Sequence, residues 1–299
     1  MVVVLDRIVE ALEPSLGRVG REPVPLEGGI TNHNFRVQMG GQEYVIRLHG
    51  KDTELLGISR EAELIANQAA AALGIAPPVA ASFDGGIVTS FQRCSSLQKR
   101  EVATRASEIG RALRAFHDCG VVLPVTFWVP ELLERYAALV RGRGAEPPEE
   151  YARAQQIAAR VAQALPLRAA RPCHNDLLAG NLIASSEDGR TMIVDWEYAG
   201  MGLPSFDLGN LSVNNELSEA QDEELLGAYL GRAPSPAEGA ALKLSRVLSD
   251  AREGAWGVMQ ARLSDLDFDF SGYSRKHFAR MLEAARAPEF ERWLAAVQA

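Results

Sequence analysis

The sequence predicts an α+β chain of two lobes, a small β-rich one over residues 1–93 and a larger helical one over 94–299. Three observations carry this. Between Phe35 and Phe91, short runs of strand-forming residues are punctuated by Gly40-Gly41 and by Asp84-Gly85-Gly86, the pattern of strands and hairpins. From Glu101 onward, apolar residues recur every three or four positions, the period of a helix. A chain of 299 residues is long enough for one large core or two lobes.

Composition narrows the class. A chain with 47% hydrophobic and 23% charged residues has the balance of a water-soluble globular protein. A net charge of −8 argues against a nucleic-acid partner, whose phosphates want a basic face. No run approaches the roughly eighteen apolar residues of a membrane span. Asp6 and Arg7 interrupt the apolar start at once, so no signal peptide is read. Cys94, Cys119 and Cys173 lack CxxC spacing, and their odd number fits reduced thiols in a cytoplasmic protein. There is no internal repeat, and the oligomeric state stays open.

Taken in order, Leu5, Ile8, Val9 and Leu12 predict a helix, which Pro14 is expected to stop. Pro23 to Leu26 is an extended lead-in. In the stretch Gly28-Gly29-Ile30-Thr31-Asn32-His33-Asn34, two glycines and small polar residues can let backbone amides approach an anion. Phe35–Met39 and Glu43–His49 form a hairpin about Gly40-Gly41. Tyr44, Ile46 and Leu48 share one face of the return strand; Val45, Arg47 and His49 share the other. A cation in mid-strand needs a partner. The next helix, Ile58 to Leu73, places Leu64, Ile65, Gln68, Ala69 and Ala72 on one stripe, with Gly74 as its stop. Glu61 precedes Leu64 and Ile65 by three and four and falls on that stripe. It is the expected partner of Arg47, with Glu63 as the alternative. Val79–Phe83 and Ile87–Phe91 make a second hairpin.

The helical part opens with Glu101–Cys119, then Leu132–Val140 and Tyr151–Leu165. His117, near the end of the first, is read as packing or as a helix-end charge. Asp222–Leu230, Ala237–Leu248 and Ser249–Leu263 are further helices. The last groups Glu253, Trp256, Met259 and Gln260 on one face.

Between these helices lies the stretch that carries chemistry. Cys173-His174-Asn175-Asp176-Leu177-Leu178-Ala179-Gly180-Asn181 leads into Leu182-Ile183, a turn over Ser185–Gly189, and a second apolar run ending at Asp195. A hairpin here brings Asn181 and Asp195 to one end, with Asp176 in the loop feeding it. An Asp and an Asn on neighbouring strand ends can supply two oxygen ligands to Mg²⁺. A separate carboxylate can orient a hydroxyl and take its proton in phosphoryl transfer. Either Asp alone reads as a turn cap or a strand end; together at this spacing they read as a site.

His174-Asn175-Asp176-Leu177-Leu178-Ala179-Gly180-Asn181, Ile193-Val194-Asp195-Trp196-Glu197-Tyr198 and Phe206-Asp207-Leu208-Gly209-Asn210 resemble the choline/ethanolamine kinase family. That family lies within the aminoglycoside-phosphotransferase-like branch of the protein-kinase fold. The resemblance runs from about Gly28 to about Tyr273. It implies a bilobal protein-kinase-like fold with ATP between the lobes and a small cationic alcohol as acceptor. By the same resemblance Asp176 is the catalytic base, and Asn181 and Asp195 hold Mg²⁺. Arg47, braced by Glu61, meets the α/β-phosphates, and Thr31, Asn32 and Asn34 lie in the loop over them. His174 and Asp207 are structural. Tyr198, Glu253, Trp256 and Tyr273 line the acceptor site, aromatic faces being suited to a quaternary ammonium. The sequence departs from the family's Trp-x-x-Trp pair, since Glu253 stands at the first position. Where the family has an acidic residue past Asp207, this chain has Asn214. Leu178 stands where protein kinases carry a Lys, which suits a small-molecule acceptor. Aminoglycoside or thiamine phosphotransfer, or a kinase fold without turnover, are the alternatives.

Overall fold

The fold was analysed on a computed structural model that describes residues 2–26, 33–50 and 53–298. Thr31 and Asn32 lie outside the described residues.

Helix α1 (Val2–Leu16) precedes strand β1 (Val19–Leu26), which pairs with β2 (His33–Met39) and then β3 (Gln42–Leu48). Pro14 falls within the last turns of α1 rather than ending it. Helix α2 (Arg60–Ala72) leads to β4 (Val79–Phe83) and β5 (Gly86–Ser90), completing an antiparallel sheet of order β1-β2-β3-β5-β4. The β2–β3 turn needs glycine: Gly40 and Gly41 take φ of 56° and 82°, positive values that L side chains resist. Leu5, Val9 and Leu12 of α1 pack against Phe35, Val37, Met39, Ile46 and Val88 to form this lobe's core.

The chain then crosses over. Strand β6 (Cys94–Ser96) joins not the first sheet but a second, beside β8 (Leu182–Ser185). The single helix expected over Glu101–Cys119 is two, α3 (Lys99–Thr104) and α4 (Ala106–His117), broken at Arg105. Helices α5 (Val129–Gly142) and α6 (Glu149–Ala164) follow, then β7 (Arg171–Cys173), β8 and β9 (Thr191–Ile193). Strands β8 and β9 are the expected hairpin, with Leu182 opposite Ile193. Strand β10 (Gly200–Gly202) pairs with β7, and helices α7 (Pro204–Asn214) and α8 (Glu219–Leu230) come next. The two helices read over 237–263 are one, α9 (Pro236–Leu263), of 28 residues. Helices α10 (Phe270–Arg286) and α11 (Pro288–Ala296) close the chain.

Two larger cores fill the helical part. One joins α5, α6, α9, α10 and α11. The other joins α4, the β8–β9 hairpin and α8, and takes in Ala62, Ala66 and Ala70 of α2. Thus α2 belongs to the first lobe by sequence but seats its alanine face on the second.

Candidate active site

The loop between β7 and β8 is held from beneath by one carboxylate. Asp207, in the first turn of α7, accepts from the backbone N–H of His174 at 2.8 Å and of Asn175 at 2.7 Å. His117 Nε2 lies 3.0 Å from Asp207 Oδ2, and its Nδ1 lies 3.0 Å from the Tyr229 hydroxyl. Both His117 and Asp207 are wholly buried. His174 Nδ1 accepts from the Asp176 N–H at 3.2 Å, which leaves the proton on Nε2 to donate to the Val194 carbonyl at 3.0 Å. Burial holds the His174 imidazole below its usual pKa, so it stays neutral. Asn175 (φ 68°) and Asp195 (φ 65°) occupy the left-handed region, where Asn and Asp are the best-tolerated L residues.

Asp176 sits at the lip of this loop. Asn181 Nδ2 donates to its backbone oxygen at 2.8 Å and to Oδ2 at 3.1 Å. Arg252 Nη1 donates to Oδ1 at 3.1 Å. Burial pushes the Asp176 carboxyl up to about 7; Arg252 works against this and Glu253 adds to it. Because the Asn181 amide nitrogen is committed to Asp176, its carbonyl oxygen is left for another partner. Asn181 and Asp195 both line a cleft of about 460 Å³ between the sheet and the hairpin, together with Asn34 and Arg47. Apolar walls from Val45, Ile87, Phe91 and Ile183 complete it. Asn34 stands opposite Arg47 in the β2–β3 ladder.

Arg47 is the hub of a buried ion cluster. It pairs with Asp195, and lies 3.3 Å from Glu63 and 3.4 Å from Glu197. Arg60 adds contacts of 2.7 Å to Glu63 and 3.4 Å to Glu197. Burial alone would favour a neutral guanidinium, but Asp195, Glu63 and Glu197 outweigh it and hold Arg47 firmly charged. The partner on α2 is therefore Glu63, 1% exposed, and not Glu61, which is exposed to solvent. Of the stripe that looked apolar, Ile65 and Ala69 are half-buried against the second core and Gln68 is exposed, so it forms the edge of the seated face and not its centre. The seated face is Ala62-Ala66-Ala70, and Glu63 and Asn67 flank it on the cleft side.

On the other side of Asp176, α9 and α10 meet. Arg252 Nη1 also donates to Glu253 Oε1 at 2.8 Å, and Tyr273 donates its hydroxyl to Glu253 Oε2 at 2.7 Å. Trp256 Nε1 donates to the Tyr198 hydroxyl at 3.0 Å. The Trp256 and Tyr273 rings meet edge-on with centroids 5.7 Å apart. Burial pushes the Tyr198 and Tyr273 hydroxyls up, so both stay protonated. The four expected acceptor residues thus fall in one network that reaches Asp176 through Arg252. They do not form an open aromatic cage: the Arg252 guanidinium lies 4.3 Å above the Tyr198 ring and covers it.

Sequence reasoning missed Arg252, Glu197 and Arg60. A signal for Arg252 existed: Asp250, Arg252 and Glu253 crowd into the run Asp250–Gly257, whose other members are alanine, glycine and tryptophan. Small residues around charges mark a helix segment packed on every side, and every residue from Val247 to Gly257 is buried.

Residues 22–242 match the model of the phosphotransferase enzyme family, and the chain belongs to that family. It is similar to choline/ethanolamine kinases in sequence and in structure. A crystal structure of a choline/ethanolamine kinase family protein from Mesorhizobium loti is 31% identical, with a TM-score of 0.83 over 100% of this chain and 99% of that one. A probable ethanolamine kinase of Arabidopsis thaliana is 27% identical over 88% of this chain and 78% of its own. The fold is shared with choline kinase LicA of Streptococcus pneumoniae, at TM-score 0.78 and 23% identity over 94% of this chain and 98% of that one. The chain is a kinase of small molecules on a protein-kinase-like α+β fold. No described helix is long and apolar enough to cross a membrane.

Proposed function

We propose that the chain moves the γ-phosphoryl group of ATP to the hydroxyl of an amino alcohol of the choline or ethanolamine type. The observation that carries this is the convergence of Asp176, Asn181 and Asp195 at one end of the β8–β9 hairpin, beside a cleft that Arg47 enters from the sheet. Residues 1–93 and 94–299 act as the two lobes, with the nucleotide between them. Arg47, anchored by Glu63, meets the phosphates, and Asn34 lies beside it.

The side-chain carbonyl oxygen of Asn181 and the carboxylate of Asp195 are hard donors on residues that line one cleft, which suits Mg²⁺. When bound, Mg²⁺ would neutralise phosphate charge. Asp176, oriented by Asn181 and Arg252, accepts the proton of the acceptor hydroxyl. His174 and Asp207 keep the loop in register. Tyr198, Glu253, Trp256 and Tyr273 border the acceptor. The free thiols of Cys94, Cys119 and Cys173 support a cytoplasmic setting.

The test is ADP release with Mg²⁺ and ATP against choline, ethanolamine, thiamine and several aminoglycosides. Turnover with choline or ethanolamine above the acceptor-free rate is expected. Turnover with thiamine or an aminoglycoside alone would reject the amino-alcohol acceptor and keep the kinase.

A further inference from the structure

Among the polar side chains that line the cleft beside Asn181 and Asp195, only Arg47 and Asn67 are buried. Arg47 is engaged by Asp195, Glu63 and Glu197. Asn67 is 5% exposed, and its side-chain oxygen accepts from nothing among the described residues. An Asn inside a helix is a weak helix former, and a buried amide oxygen without a donor costs stability. The seat of α2 does not need it, since Ala62, Ala66 and Ala70 make that contact. A polar group kept unpaired on the wall of a cleft marks a partner that arrives with the ligand.

The course of α2 says which part of a nucleotide that is. Near its start, Glu63 holds Arg47, so the phosphates fall at that end of the cleft. Its far end leads into β4, which begins with Val79 opposite Thr89, and Thr89 in turn lies opposite Val45. Asn67, one turn past Glu63, is therefore displaced from the phosphate end toward Thr89. The walls there, Val45, Phe91 and Ile183, are apolar and suit a flat base. The strand alongside has spent its donors: the Ser90 and Phe91 N–H groups go to the Pro78 and Glu43 carbonyls at 2.8 and 2.9 Å. The phosphates of Mg²⁺–ATP and the ring nitrogens of adenine only accept. Its donors are the ribose hydroxyls, next to the phosphates, and the 6-amino group of adenine, beyond them.

We propose that Asn67 selects the nucleotide base, its side-chain oxygen accepting a hydrogen bond from the 6-amino group of adenine. This rests on the proposed use of ATP and adds the residue that reads its base. Inosine triphosphate carries a 6-oxo group in place of the amine, so it sets an acceptor against an acceptor.

Calorimetry of Mg²⁺–ATP and Mg²⁺–ITP, with no acceptor alcohol present, tests it. The unaltered protein should bind ATP about tenfold or more tighter than ITP, the worth of one hydrogen bond made against one opposed. Asn67→Leu should bring the two within about threefold, and Asn67→Asp, which keeps an oxygen in place, should hold most of the preference. Ratios within one variant do not depend on how much of it is folded. Asn67→Leu should also melt higher than the unaltered protein when no nucleotide is present, because it removes an unpaired amide from a buried wall. A ratio unchanged in Asn67→Leu overturns the assignment, and a lower melting temperature with it makes Asn67 a structural residue. Loss in Asn67→Leu of discrimination against 2′-deoxy-ATP, with the ATP-to-ITP ratio intact, gives the oxygen to the ribose and overturns it too. So does tighter binding of ITP than of ATP by the unaltered protein. If neither nucleotide binds, this assignment and the proposed transfer fall together. If ATP is preferred as expected and no amino alcohol raises ADP release, only the proposed transfer falls.

Discussion

Asp176 is governed by two opposed influences, burial raising its pKa and Arg252 lowering it, with the balance at about 7. Only the ionised form can take a proton, so kcat/KM should climb as pH rises through about 7 and then level off. An ordinary carboxylate would already be level near pH 5. Replacing Arg252 by Gln removes the lowering influence and should move the rise to higher pH. A profile flat from about pH 5 to about pH 8 would reject the base. Asp176→Asn should cut turnover by at least ~10²-fold. Its ATP affinity, read by calorimetry, should hold, because Asp176 does not line the cleft proposed for the nucleotide. Asp195→Asn should weaken Mg²⁺-dependent ATP binding far more than Asn181→Asp, since the first loses a charged ligand and the second gains one. Equal Mg²⁺ midpoints would contradict those roles.

Among the elements, α9 matters most, because its middle carries Arg252, Glu253 and Trp256 and its flanks meet both large cores. Its seat on α7 is close: a Cβ on Gly209 would come within 2.6 Å of Ser245 Cβ and 2.7 Å of the Arg246 backbone nitrogen. Backbone cannot step aside, so Gly209→Ala should destabilise the fold by about 1–3 kcal/mol, read as a lower urea midpoint at unchanged slope. What was legible in the sequence follows range. The hairpins about Gly40-Gly41 and Ser185–Gly189, and the placing of Asn181 beside Asp195, depend on neighbours in the chain and were readable. The break at Arg105, the continuity of α9 through Leu248-Ser249 and the choice between Glu61 and Glu63 depend on what packs across. An alanine face gives no size signal, so the seated side of α2 was hidden until the hairpin it rests on was in place. Arg252 was hidden for the same reason, a charge on a helix being read by default as a surface residue.

Across the whole molecule, the two lobes are joined by ions as well as by the alanines of α2. Arg47 from β3 and Glu63 and Arg60 from α2 meet Asp195 and Glu197 beyond β9. Glu63→Ala strips a buried cluster of a central anion and should cost about 3–5 kcal/mol. Glu61→Ala, at an exposed position, should stay within about 0.5 kcal/mol of the unaltered protein. Thermal melts of both variants check the pair, and equal losses would reject the Glu63 pairing. The Arg47–Asp195 contact also bears on how ligands would be found. Arg47 is paired with the carboxylate proposed for Mg²⁺. A nucleotide with its metal has to undo that pairing before it stabilises anything. Melting-temperature screens report only the difference between bound and unbound states. They should therefore understate tight nucleotides here and favour compounds that settle in the cleft without disturbing Arg47.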